Sequence, residues 1–227
     1  MCFSSGASLA VGGLLIACSA ITIPLAWRNN IKLVPFAAYP LFFGIQQIAE
    51  GCLWLDLEGY EYSNGLQAAM VFLFFAYWFW PAWVPLSAAI AEPDQFRKRV
   101  FAVFTLFGTA GGAVLYLPIL FDPALPQIEI VRHSIQYSNP QMLNDETFRL
   151  AARVTYAVIV CAPLMLSSHP QVRVYGLLIL ISVVVAFSFA SYAFTSVWCF
   201  LAAGLSVYMI IVLRSLTQNT IRARDSW

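Results

Sequence analysis

The residues able to do chemistry are few and fall at two places in an otherwise apolar chain. Gln46, Gln47 and Glu50 interrupt the run Phe43–Trp54, with the amides four and three residues before the carboxylate. On a helix that spacing puts both within reach of Glu50 on one face. Trp54 follows one turn later. A charged side chain in hydrocarbon costs about 2.5–3.5 kcal/mol on insertion scales, so such a residue faces the protein interior and has partners. The second place carries Ser188, Ser191, Tyr192, Thr195 and Ser196, leading into Trp198 and Cys199. Together these groups could form a ligand, proton or ion site. The competing reading is an interhelical hydrogen-bond clamp, with Glu50 held by Arg153 or by hydroxyls of the second patch. Ser and Thr bonds between membrane helices average about 0.6 kcal/mol, so packing alone would explain most of the second patch.

Cys2 and His133 complete the candidates. Cys2 could be a disulfide partner of Cys52, a metal ligand, a nucleophile or an inert thiol, and His133 could serve as a base. The five cysteines have no C-x-x-C spacing. The two histidines, His133 and His169, fall on opposite membrane faces, so no metal centre is expected and the cofactor is left open. Lys32 and Lys98, the two lysines, lie in connecting loops, which excludes a retinal Schiff base on the last segment. No P-loop, G-x-S-x-G or H-E-x-x-H is present.

The elements that position these residues follow from composition. Of 227 residues, 61% are hydrophobic and 10% charged, with mean hydropathy +0.77, against about 45–50% apolar and 25% charged in soluble domains. A net charge of +1 leaves no basic excess to neutralise phosphates and argues against nucleic acid as a partner. Cutting the chain at charges, Pro and Gly leaves seven runs of about 20 apolar residues, the length that spans a bilayer core: Ser5–Ala26, Leu33–Leu55, Leu66–Ala89, Val100–Leu120, Phe148–Leu166, Val172–Phe189 and Ala193–Leu213. The expected fold is an all-α integral membrane protein, residues 1–227 forming one seven-helix bundle. Phe187–Thr195, with no charge, is the weakest boundary.

Arg28, Lys32, Arg97, Lys98, Arg99, Arg173, Arg214, Arg222 and Arg224, nine of the 12 basic residues, lie on one face. Positively charged loops stay cytoplasmic, so the N-terminus is expected outside and the C-terminal tail, 214–227, inside. The connection 122–146 between the fourth and fifth segments holds prolines and an alternating stretch, Gln127–Tyr137, that reads as a short strand; a loop of this length predicts an ordered cap over the outer mouth. Gly108–Gly112 and Gly12–Gly13 mark close helix contacts, and Pro81 and Pro85 should kink the third segment.

Met1-Cys2-Phe3-Ser4, Gly44–Gly51 and Ser196–Ala203, in that order, resemble an uncharacterised, mostly bacterial family of small polytopic membrane proteins. That resemblance implies a bacterial inner (plasma) membrane location and groups Cys2, Gln47, Glu50 and Trp198 as one constellation, but no activity. The expected function is a sensor or transporter binding a small ligand or lipid in an outward-facing cavity around Glu50. Its candidate residues are Cys2, Gln46, Gln47, Glu50, Trp54, His133, Ser191, Tyr192, Thr195 and Trp198. The alternatives are a scaffold subunit of a membrane complex, or homo-oligomer, and an enzyme using Cys2, Glu50 and His133 at the outer leaflet.

Overall fold

The computed structural model describes residues 4–60, 64–138 and 146–215; Cys2 lies outside them. Helix α1 (Ser5–Asn29) begins where the Ser4 hydroxyl accepts the Ala7 N–H at 3.3 Å, satisfying a donor the first turn leaves unpaired. Asn30 then turns extended and its side chain caps a short turn at Lys32. Helix α2 (Tyr39–Leu57) starts later than the expected Leu33, because Pro35 and Pro40 break the entry into short turns. Helix α3 (Gly65–Ala91) contains a π-helical stretch, Phe74–Phe79. Asp94 caps α4 (Gln95–Phe121) through the Arg97 N–H at 2.8 Å. Helices α5 (Glu146–Met165), α6 (Pro170–Ala190) and α7 (Phe194–Leu205) follow.

Five helices among the described residues are long and apolar enough to cross a membrane: Ser5–Asn29, Gly65–Ala91, Gln95–Phe121, Glu146–Met165 and the 46-residue stretch Pro170–Ser215. The chain is thus an all-α integral membrane protein with one short β-hairpin. Helix α2 has the length, 19 residues, but Gln46, Gln47, Glu50 and Asp56 lower its hydropathy.

Consecutive helices run antiparallel. A Cβ on Gly12 would stand 2.9 Å from the Gly44 carbonyl, while Gly51 lies against Leu9, so α1 and α2 touch backbone to backbone in opposite directions. Likewise Gly108 of α4 abuts the Pro81 carbonyl, and a Cβ on Gly112 would meet the Tyr77 carbonyl at 2.8 Å. Gly13 and Gly111 face open space, so one glycine of each pair makes the contact. At the weakest boundary the chain reverses. Ala190 and Ala193 leave helical dihedrals around Ser191–Ala193. Trp198 donates back to the Ser182 hydroxyl at 3.1 Å, and the Tyr175 and Tyr208 rings stack at 6.3 Å.

Pro81 has no N–H to give the helix, and its ring would press on the carbonyl four residues earlier. The chain answers with the π-helical turn rather than a sharp break, the Trp80 N–H bonding to the Phe75 carbonyl. The displaced Ala76 carbonyl accepts the Tyr156 hydroxyl of α5 at 2.6 Å.

Strands β1 (Gln127–Val131) and β2 (Ser134–Ser138) pair antiparallel around Arg132 and His133. Both turn residues have positive φ, 48° and 59°, the conformation a two-residue hairpin demands and that Asn-Gly adopts more easily. The Arg132 guanidinium lies over the Tyr192 ring, 5.7 Å from its centroid, holding the turn. Ile135 is fully buried with Leu53, Trp54 and Ala69, and Tyr137 stacks on Phe72 at 4.9 Å. The hairpin is therefore seated in the bundle end rather than resting above it.

At the opposite end a second acid is buried. The Glu92 carboxylate accepts the Ser167 hydroxyl at 3.2 Å and the backbone N–H groups of Ser168 and Asp94 at 3.0 and 3.4 Å. His169 Nε2 lies 3.1 Å from the Ala91 carbonyl, and Arg97 donates to the Leu166 carbonyl and the Ser168 hydroxyl, both at 3.1 Å. These bonds tie the α3–α4 loop to the α5–α6 loop.

Candidate functional site

Gln46, Gln47 and Glu50 are at most 1% exposed. Gln47 Nε2 donates to Glu50 Oε2 at 3.3 Å, whereas Gln46, expected to reach the same carboxylate, makes its bond elsewhere. Trp80, stacked on Phe43 at 3.8 Å, donates its indole N–H to Gln46 Oε1 at 2.7 Å. From α7, Ser196 pairs with Glu50 and Cys199 with Gln46. Among the described residues, no hydrogen-bond partner meets Gln46 Nε2, Gln47 Oε1, Glu50 Oε1 or the Tyr137 hydroxyl. Buried polar atoms are nearly always paired, and those left over ask for a reason.

Next to this cluster lies a cavity of about 690 Å³ under the hairpin, within the usual range for small-molecule sites. Tyr137 and Cys199 line this cavity and lie near Glu50. The π-helical stretch supplies Ala76 and Tyr77, whose phenol pairs with Thr195. The first turns of α5 contribute Arg149 and Arg153. Burial, reinforced by the nearby Glu50 carboxylate, raises the Tyr137 phenol well above its ordinary range, so it stays a neutral hydroxyl that can donate as well as accept. The cavity thus offers cationic, hydroxyl and amide groups on an aromatic floor.

A family model described as a family of unknown function (DUF6629) matches residues 1–224. The chain belongs to that family. No curated protein and no solved structure matches it.

In this DUF6629 member the candidate residues separate into three groups. Ser191, Tyr192, Thr195 and Trp198 line the cavity, and Gln46, Gln47 and Glu50 are buried outside its lining. Trp54 and His133 are elsewhere. Trp54 is buried against Ile135, its indole N–H meeting no partner among the described residues, and His133 is exposed at the hairpin tip, where the two-residue turn turns it away from the bundle. Arg153 is not the clamp for Glu50: it donates to the Ser191 carbonyl at 3.2 Å and lies 5.1 Å over the Phe194 ring. Sequence reasoning omitted Arg149, Tyr77, Tyr137, Tyr156, Gln127 and Gln136 from the site. Two signals pointed to some of them: Pro81, which forces the π-helical turn beside Tyr77, and basic residues on an otherwise acidic loop face. Among the described residues, no group of three or more His, Cys, Asp and Glu could hold a metal ion.

Proposed function

We propose that this protein crosses the plasma membrane seven times, with its N-terminus outside, and binds a small ligand in the cavity under the hairpin, as a sensor or transporter. The alternation of helix directions supports seven crossings, α2 being the least apolar. The concentration of Lys and Arg at the end away from the hairpin supports the orientation. One observation carries the binding reading: a cavity of ligand size is lined by Tyr137, whose buried hydroxyl meets no partner among the described residues. A purely structural clamp would use up its own hydrogen bonds, because each buried unsatisfied group costs about 1–3 kcal/mol.

The test is native mass spectrometry of the full chain extracted in mild detergent, wild type against Thr195→Trp, which fills the cavity from its wall. The expected result is a bound small molecule on the wild type that the variant lacks, at unchanged melting temperature. Identical ligand-free masses overturn the reading.

A further inference from the structure

We infer that the cavity's ligand is a membrane lipid with an anionic headgroup, its acyl chain lying in the furrow between α5 and α6. The inference rests on the cavity being a ligand site and names what fills it.

The furrow, about 450 Å³, is almost wholly apolar. Small side chains on α5, Ala157, Cys161 and Ala162, face Val183, Val184 and Ser188 on α6 and keep the furrow open. It runs from Leu150 to Met165, about 22 Å at the helical rise of 1.5 Å per residue, within the depth of a bilayer core. Leu150, Arg153, Phe187 and Phe194 line both the furrow and the polar cavity, so the two spaces meet at Arg153. A polar chamber joined to a lipid-facing apolar channel has the shape of an amphiphile.

Charge selects the headgroup. Arg149 and Arg153, four residues apart on α5, lie close enough to repel one another, and among the described residues neither pairs with an acidic side chain. The Ser191 carbonyl and the Phe194 ring fix the Arg153 guanidinium at the junction. Arg132, held over the cavity residue Tyr192, is the third cation of this end. Among the described residues Glu146 is the one acid in the wall, against two arginines. Like charges at this spacing are unfavourable on a helix, and an anion between them relieves the repulsion through charge-assisted bonds that Arg forms well with phosphate and carboxylate. Basic pockets between membrane helices are known binders of anionic headgroups.

The experiment uses the full-length protein, delipidated in mild detergent and titrated with phosphatidylglycerol, phosphatidylcholine of the same chains, and glycerol phosphate, with adducts read by native mass spectrometry. Phosphatidylglycerol is expected to bind about tenfold more tightly than phosphatidylcholine, the size of one charge-assisted contact. Arg149→Gln with Arg153→Gln abolishes that preference, whereas Arg173→Gln at the opposite end preserves it. Val184→Trp, an exposed furrow residue, weakens phosphatidylglycerol binding without changing glycerol phosphate. Equal retention of both lipids means annular lipid only and overturns the inference. Glycerol phosphate binding as tightly as phosphatidylglycerol also overturns it, while leaving the cavity a ligand site. A native ligand lost in Thr195→Trp that is not a lipid has the same consequence. Absence of any ligand in the wild type instead removes the underlying reading.

Discussion

Among the described residues two glutamates are buried, one near each end, and they are treated in opposite ways. Glu92 is 4% exposed and accepts three hydrogen bonds that knit two loops together. Glu50 is 1% exposed and is met by the side chains of Ser196 and Gln47, the latter at 3.3 Å, with no backbone donor and no close partner for Oε1 among the described residues. A carboxylate that serves stability is surrounded by donors supplied by fixed backbone and short side chains. One retained for another purpose keeps unused hydrogen-bonding capacity, at a cost in stability. The contrast fits the proposal that the hairpin end binds a ligand while the opposite end serves stability.

The comparison is broken most decisively at Glu92. Glu92→Ala strands the Ser168 N–H and the Ser167 hydroxyl and should destabilise the protein by about 3 kcal/mol, seen as a lowered melting temperature in detergent. A loss no larger than that of an exposed-site variant such as Arg173→Gln removes the structural half of the argument. Within the hairpin end, Tyr156→Phe deprives the Ala76 carbonyl of its partner at the π-helical turn. The expected cost is about 1–2 kcal/mol, measured the same way, and would show that the satisfied parts of this end behave like Glu92.

Tyr137 supplies a pH test. Its phenol is raised in the folded state, so its contribution is complete below the ordinary tyrosine value of about 10 and is lost as pH rises from there toward the folded value. Wild type should lose melting temperature faster than Tyr137→Phe above that pH, with parallel curves below it. Parallel curves throughout would mean the phenol is not held in a buried setting. The smallest stability effect is expected at Glu50. Replacing a poorly satisfied buried charge by an apolar residue of similar size is often neutral or favourable, so Glu50→Leu should change stability by no more than about 1 kcal/mol, or raise it, while ligand retention in native mass spectrometry falls. A loss matching Glu92→Ala would erase the distinction between the two ends.

Much of the architecture was legible because hydropathy and punctuation act locally. Pro81 announces the disturbance in α3. The strand-like alternation of Gln127–Tyr137 became a hairpin. The polar face of α2 followed from spacing alone, since three and four residues make one helical face. Glu92 escaped notice because its position at a helix end, beside Pro93 and Asp94, reads as an ordinary solvated loop; only the α5–α6 loop folding against it makes it buried. The place of His133 was not legible for a similar reason, as a hairpin register decides which side chains point into the bundle and which stand at the tip.

By itself the sequence determined that the chain enters a membrane as helices and which residues of α2 must share a face. Both follow from the hydrophobic effect and helical periodicity, which need no knowledge of neighbours. Tertiary structure alone decided that α7 brings Ser196 and Cys199 against that face, that Tyr137 closes it from a distant hairpin, and that Arg149 and Arg153 stand where a polar cavity opens onto an apolar furrow. Those relations join residues far apart in the chain through the packing of helix against helix, and that packing depends on shape complementarity between surfaces that no single segment encodes.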